Sequence, residues 1–209
     1  MTRLPVAERR RMLVAAAARV MARDGIAETT TRAITAEAGM PRGSFHYCFR
    51  SKDELLRELI TEVVGDMVQA AREVWATDRS IEENLKAGLR AIWQTATEHP
   101  DEQLVTYELT TYALRDPGTV ELARWQYESY NQQATEYLTF VVEQAHVEWS
   151  LPMPTLARLV VTVVDGLCLN WLPDRNSEIA RDVLDTFAVH LASLTSSRSR
   201  APAANTRRG

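Results

Sequence analysis

Three observations predict an all-α fold. The 209 residues include only 8 Gly and 8 Pro, too few for a loop-rich β-sandwich. Apolar residues recur at three- and four-residue steps through one segment after another, and no alternating pattern outcompetes them. Between these segments stand helix start and stop signals: capping boxes, a Gly-Ile exit and Pro-containing turns. With 45% hydrophobic and 25% charged residues, the chain can bury a core and is no disordered polymer.

The first helix is expected from about Val6 to Asp24, with Leu13, Ala16, Ala17, Val20 and Met21 at helical spacing. Gly25 fits the left-handed residue after it, and apolar Ile26 follows. Thr29-Thr30-Thr31 offers hydroxyls to cap a short second helix over 32–38. Gly39 turns the chain and Met40 folds back as an apolar anchor. A third short helix is expected near Pro41, whose missing N–H costs nothing in a first turn. Ser51-Lys52-Asp53-Glu54 is a capping box that opens a long helix to about Trp75. Three helices with a Gly turn between the second and third make a helix-turn-helix arrangement.

Helical signals continue. Ser80-Ile81-Glu82-Glu83 is a second capping box; its helix carries Ile81, Leu85, Leu89, Ile92 and Ala96 on one face and stops at His99-Pro100. A helix over 102–115 is cut by Asp116-Pro117-Gly118. Segment 119–149 reads as one long amphipathic helix, closed off by Pro152 and Pro154. Residues 155–172 are apolar on nearly every side, which predicts burial on more than one face. After the turn at Pro173-Asp174-Arg175-Asn176, residues 178–194 carry a stripe of Ile179, Val183, Leu184, Phe187 and Leu191. The tail from Thr195, rich in Ser, Arg and Ala, is expected to be disordered.

The net charge of −4 is unevenly spread. Residues 1–57 hold 11 Arg and Lys against 6 Asp and Glu, 58–192 hold 9 against 22, and 193–209 add four Arg. A basic head on an acidic body can present one face to nucleic acid; a merely uneven surface is the plainer alternative. Arg9-Arg10-Arg11 before Met12 imitates a signal peptide, but Arg19 and Arg23 interrupt the apolar run. No stretch approaches the uninterrupted apolar length of a membrane span, so a cytoplasmic protein without a membrane partner is expected. Cys48 and Cys168, far apart and outside any CxxC, fit a reducing compartment.

Catalytic signals are missing. His46, His99, His146 and His190 lie on separate segments, and there is no HExxH, P-loop, GxGxxG or GxSxG. No catalytic residue, metal ligand or cofactor is expected. A helical small-molecule enzyme is the alternative class, and it leaves the basic N-terminus unexplained.

The run from Thr30 to Leu56 closely resembles the DNA-binding signature of TetR/AcrR-family transcriptional regulators. It contains Ala38-Gly39-Met40, Arg42-Gly43-Ser44, Phe45-His46-Tyr47-Cys48-Phe49 and Ser51-Lys52-Asp53. The match covers residues 6–57. It implies an all-helical homodimer with one helix-turn-helix per subunit, a ligand cavity in the larger domain and, most often, repression of a palindromic operator released by a small molecule. Activation and ligand-independent regulation are the alternatives. The family positions matching Thr31, Arg42, Gly43, Ser44, His46, Tyr47 and Lys52 touch DNA.

Physical reasoning reaches overlapping residues. A recognition helix in the major groove needs small, polar or planar groups outward, which Arg42, Ser44, His46 and Tyr47 supply, while Gly43 permits close backbone approach. Phe45 and Phe49 would anchor inward. Thr31 and Arg32 stand at a helix N-terminus that favours a phosphate, and Pro41 adjoins the recognition helix. Lys52 sits against the dipole of its own helix, which suggests an anionic partner. Pro41, Thr35, His46 and Cys48 depart from the family's usual residues and bear on sequence preference.

For the effector, Trp93, Tyr107, Thr111, Tyr127, Tyr130, Cys168 and Trp171 are the candidate lining, although aromatics at helical spacing also serve as core. Trp125 falls off the inward stripe and reads as surface or interface. Asp165 on its apolar helix needs a partner if buried; a hydrogen-bond node is preferred over a ligand hook. Homodimerisation is expected through 155–172 and 178–194, paired with their symmetry mates as a four-helix bundle. The expected domains are 1–52 for DNA binding, 53–195 for ligand and dimer, and 196–209 as tail.

Overall fold

The computed structural model describes residues 4–115 and 119–197. The elements are α1 (Val6–Asp24), α2 (Thr31–Glu37), α3 (Ser44–Cys48), α4 (Lys52–Glu73), α5 (Ile81–Glu98), α6 (Pro100–Arg115), α7 (Val120–Ala145), β1 (Val147–Trp149), α8 (Met153–Asp174), α9 (Ser177–Ser193) and β2 (Thr195–Ser197). One continuous buried cluster runs from Leu13 on α1 to Leu191 on α9. Helix α1 packs on α2, α4 and α6, while α7 packs on α8, α4 and α6, and α5 joins α4 to α9. Helices α4 and α6 therefore touch both the N-terminal head and the body.

Local chemistry sets the helix starts. Thr30 caps α2 by accepting the Ala33 N–H at 3.1 Å, and Ser51 caps α4 by accepting the Glu54 N–H at 3.1 Å. The box at Ser80 and Glu83 is reciprocal. The box at Ser51 is only half made, because the Glu54 carboxylate takes the Arg50 N–H at 2.8 Å instead. That backbone hydrogen bond, with Arg10 in support, holds the Glu54 carboxyl below its usual range.

Several boundaries differ from expectation. Helix α7 stops at Ala145, where His146 turns left-handed at φ 55°, and does not continue to 149. Val147–Trp149 instead pairs antiparallel with Thr195–Ser197, Val147 opposite Ser197, so the expectations of no strand and of a disordered tail from Thr195 fail at these residues. The ribbon is fastened to the helices beside it: Ser150 N–H donates to the Leu194 carbonyl after α9 at 2.8 Å, and Trp149 Nε1 to the Leu138 carbonyl within α7 at 3.1 Å. The expected tail beyond residue 197 and the Asp116-Pro117-Gly118 breaker lie outside the described residues.

Helix α3 begins at Ser44 rather than near Pro41, since residues 41–43 form a turn closed by Ser44 N–H donating to the Pro41 carbonyl at 2.9 Å. Gly25 adopts φ 84° and ψ 155°, a region reserved for glycine, in place of the left-handed helical conformation expected. Helix α8 starts with Pro154 in its first turn and runs through Pro173, so the turn narrows to Arg175 and Asn176.

Helix α8 is long and apolar enough to cross a membrane by length and composition. Arg158 and Asp165 interrupt its apolar run, in keeping with the expectation that no uninterrupted stretch reaches the length of a membrane span. Nor is α8 buried on several faces within one chain. Leu156, Ala157, Val160, Cys168 and Trp171 are buried, while Leu159 and Leu169 are exposed.

Candidate nucleic-acid interface and effector cavity

The short helix α3 is oriented by its anchors. Phe45 and Cys48 are buried, as is Phe49 just beyond, and the two phenyl rings lie 5.7 Å apart. Burial of these side chains leaves the alternate positions outward. Pro41, Arg42, Gly43, His46 and Tyr47 are exposed, and Ser44 is half-buried. The Tyr47 ring is 55% exposed and backed by the Arg9 guanidinium at 4.5 Å. At the start of α2, Arg32 is exposed and Thr31 half-buried.

Lys52 differs from its expected setting. It is half-buried, and its ammonium donates to the Ile26 carbonyl at 2.8 Å. Within the chain the group facing this ammonium is a neutral carbonyl of the α1–α2 connection, not an anion. Sequence reasoning also missed Arg10. Its Nε donates to both Glu58 oxygens at 3.0 and 2.9 Å, its guanidinium also reaches Glu54 and the Cys48 carbonyl, and it lies 4.2 Å over the Phe49 ring. Hydrogen bonding to Glu58 raises the Arg10 pKa further. Arg10 thus clamps the end of α3 between α1 and α4. The available signal was Glu54 and Glu58, four residues apart on one helix face.

A cavity of about 90 Å³ lies among α4, α5, α6, α7 and α8. Val63, Met67, Val160 and Val164 make much of its wall apolar, and Tyr107, Gln133 and Asp165 bring polar groups. Three of the candidate lining residues are there: Tyr107, Tyr130 and Cys168. Tyr127 lines an adjoining cleft of about 940 Å³ bordered by Asn131 and Arg158. Its hydroxyl donates to Asp165 Oδ2 at 3.0 Å, so cavity and cleft meet at this pair.

The other candidates are elsewhere. Trp93 and Trp171 meet edge to face at 5.7 Å in the core, and Trp171 Nε1 donates to Ser177 Oγ at 3.0 Å, anchoring the α8–α9 turn. Thr111 is exposed and returns its hydroxyl to the Tyr107 and Glu108 carbonyls. Trp125, expected at the surface, is half-buried under the Arg57 guanidinium at 4.5 Å.

Asp165 is the hydrogen-bond node favoured from sequence, and it also lines the cavity. Besides the Tyr127 bond, the Tyr107 hydroxyl donates to its main-chain carbonyl at 2.7 Å. Burial raises the Asp165 carboxyl above its usual range despite these donors. Burial, followed by the nearby Asp165 charge, pushes Tyr127 up to about 12, and burial pushes the Cys168 thiol up to about 12. Behind them Gln126 fastens α7 to α6: Nε2 donates to the Thr106 carbonyl at 3.0 Å and to the Tyr130 hydroxyl at 2.8 Å, and Oε1 accepts from Thr110.

The residue after Tyr107 faces the head. Glu108 Oε1 accepts the Ile26 N–H at 2.7 Å, while the Ile26 carbonyl is held by Lys52. Fully buried Ile26 is therefore gripped from α6 on one side and α4 on the other. On the far side of the body, Leu159 and Leu169 of α8 and Ile179, Val183 and Val189 of α9 are exposed apolar side chains, Ile179 at 60%.

Comparison with known proteins agrees with both halves. Residues 13–59 match the family model described as bacterial regulatory proteins, tetR family, and residues 79–193 match the tetracyclin repressor-like C-terminal domain. A nicotine-responsive transcriptional repressor of Paenarthrobacter nicotinovorans is 24% identical over 185 residues, covering 88% of this chain and 94% of its own. A TetR-family regulator structure from Rhodococcus superposes with TM-score 0.75 at 20% identity, covering 89% of this chain and 99% of that one. The regulator FadR of Bacillus subtilis, solved with stearoyl-CoA, gives TM-score 0.67 at 16% identity over 88% of this chain and 97% of its own.

Proposed function

Because the chain belongs to the TetR family of bacterial transcriptional regulators, we propose that it is a homodimeric repressor that leaves its palindromic operator when a small molecule enters the body. In this reading residues 1–52 bind DNA and 53–195 hold effector and partner subunit. The observation that carries it is the adjacency of Tyr107, in the cavity wall, and Glu108, which grips the α1–α2 connection of the head. A shift of α6 on ligand binding would reach the head through Glu108 and through the packing of α6 on α1.

DNA contact is assigned to Arg42, Gly43, Ser44, His46 and Tyr47 with Pro41, and to Thr31 and Arg32 at the α2 start. Lys52 is assigned a phosphate contact as well, while one of its N–H groups braces the Ile26 carbonyl. The exposed apolar faces of α8 and α9 support pairing with a second copy, since stranding such side chains in water is unfavourable. Two recognition helices must then enter successive major grooves about one helical turn, ~34 Å, apart. An effector favouring a different spacing lowers operator affinity by its differential affinity for the two states. One relative is nicotine-responsive and one structural neighbour was solved with stearoyl-CoA, so the effector of this chain is sought in its own lining.

Titration of the purified protein with duplex fragments at rising salt tests the DNA half. Affinity falls steeply with salt, and Arg42→Ala loses about 1–3 kcal/mol of base discrimination. A normal footprint from Arg42→Ala refutes the recognition-helix assignment.

A further inference from the structure

The cavity carries a chemical preference. Asp165 stands on the largely apolar α8, whose Arg158 borders the cleft rather than the cavity; it lines the cavity and has no Lys, Arg or His among the described residues within ion-pairing distance. Its partners are the hydroxyls of Tyr107 and Tyr127. A carboxylate removed from water with no cation beside it is held at a penalty that a ligand cation relieves. The rings of Tyr127 and Tyr130, 5.4 Å apart and edge to face, stand next to it, and tyrosine faces attract cations. Val63, Met67 and Val160 give the same space an apolar wall that suits an alkyl group.

We propose that the effector is a small aliphatic amine in its protonated form, its ammonium on the Asp165 carboxylate and its alkyl part in the cavity among α4, α6, α7 and α8. The proposal rests on the effector reading above and names the ligand class. Size follows from volume: a cavity of roughly 150 Å³ takes benzene, so about 90 Å³ fits a smaller, branched body. The larger cleft is the entrance. An amine arriving from it meets Asp165 at Oδ2 and replaces the Tyr127 hydroxyl there. The Tyr107 bond to the Asp165 carbonyl then passes the displacement to α6.

Calorimetric titration of the full chain with isobutylamine, isobutanol and isobutyrate at neutral pH tests this, with duplex-DNA binding measured on the same samples. Isobutylamine binds about tenfold or more tightly than isobutanol, as expected for one desolvated charge contact, and isobutyrate binds most weakly. Asp165→Asn brings the amine-to-alcohol ratio to about one, whereas Tyr127→Phe keeps the preference because the carboxylate remains. A ratio near one in the unaltered protein, which needs no variant to fold, overturns the proposal, as does an amine preference that survives Asp165→Asn. Ligand-free protein that ignores duplex DNA refutes the regulator reading instead; intact DNA binding without amine preference refutes only the ligand class.

Discussion

Gly88 and Tyr137 should be energetically coupled, and a double-mutant cycle can read the coupling. Gly88 lies inside α5, where alanine would ordinarily be favoured by about 1 kcal/mol. A methyl there, however, would meet the Tyr137 hydroxyl at 2.0 Å and Cζ at 3.0 Å. Tyr137 is only 2% exposed, so its ring has little room except toward the adjoining cavity. Overpacking of this kind costs about 1–3 kcal/mol, which outweighs the helix gain. Gly88→Ala alone is therefore destabilising by up to about 2 kcal/mol, or a few degrees in Tm. The Tyr137 hydroxyl is also buried without a hydrogen-bond partner. Tyr137→Phe removes it at no loss of contacts and is neutral or stabilising by about 1 kcal/mol. In the Phe background the nearest atom is Cζ, a few tenths of an ångström of relief suffices, and Gly88→Ala turns neutral or favourable. Urea denaturation of the four proteins gives the coupling directly. Equal effects of Gly88→Ala in the two backgrounds would refute the packing argument.

Three further outcomes follow from the site and its supports. Glu108→Ala removes the acceptor of the Ile26 N–H, costs about 1.5–3 kcal/mol in denaturation, and separates ligand binding from DNA release in an operator titration. Asp165→Asn stabilises at neutral pH: burial raises the folded carboxyl above its unfolded value, so its penalty is present above the raised pKa, fades as pH falls through it, and is gone below the unfolded value. Thermal melts across the acidic range check that the gain disappears there, and a gain that grows with acidity contradicts the sign. Ile179→Asp together with Leu169→Asp places charge on the exposed apolar face, and sedimentation then reports single subunits where the parent chain reports pairs.

How far the sequence could be read depended on whether a signal was local. Helix α5 was legible because its capping box and apolar stripe sit within one segment, and α3 because Phe45 and Phe49 are spaced to face inward together. The ribbon was not, since three-residue strands are too short to alternate and their partner lies at the far end of the chain. From its place against the α4 dipole Lys52 reads as facing an anion; that it also holds the Ile26 carbonyl had no local signal, since the two lie 26 residues apart. Trp93 and Trp171 share the inward spacing of Tyr107 and Tyr130; only the packing of α5 against α8 decides which pair is core and which is wall. Glu108 gave no local hint, because its partner Ile26 is 82 residues away.

The hold on Ile26 separates two tasks that sit side by side on α6. The cavity wall is spread over several helices, whereas the hold on Ile26 rests on one carboxylate and one lysine. On the proposed reading, exchanging wall residues would retune what the molecule answers to and leave that hold intact. New chemical specificities can thus be acquired by drift in the interior, with the same command still issued to the DNA-facing end.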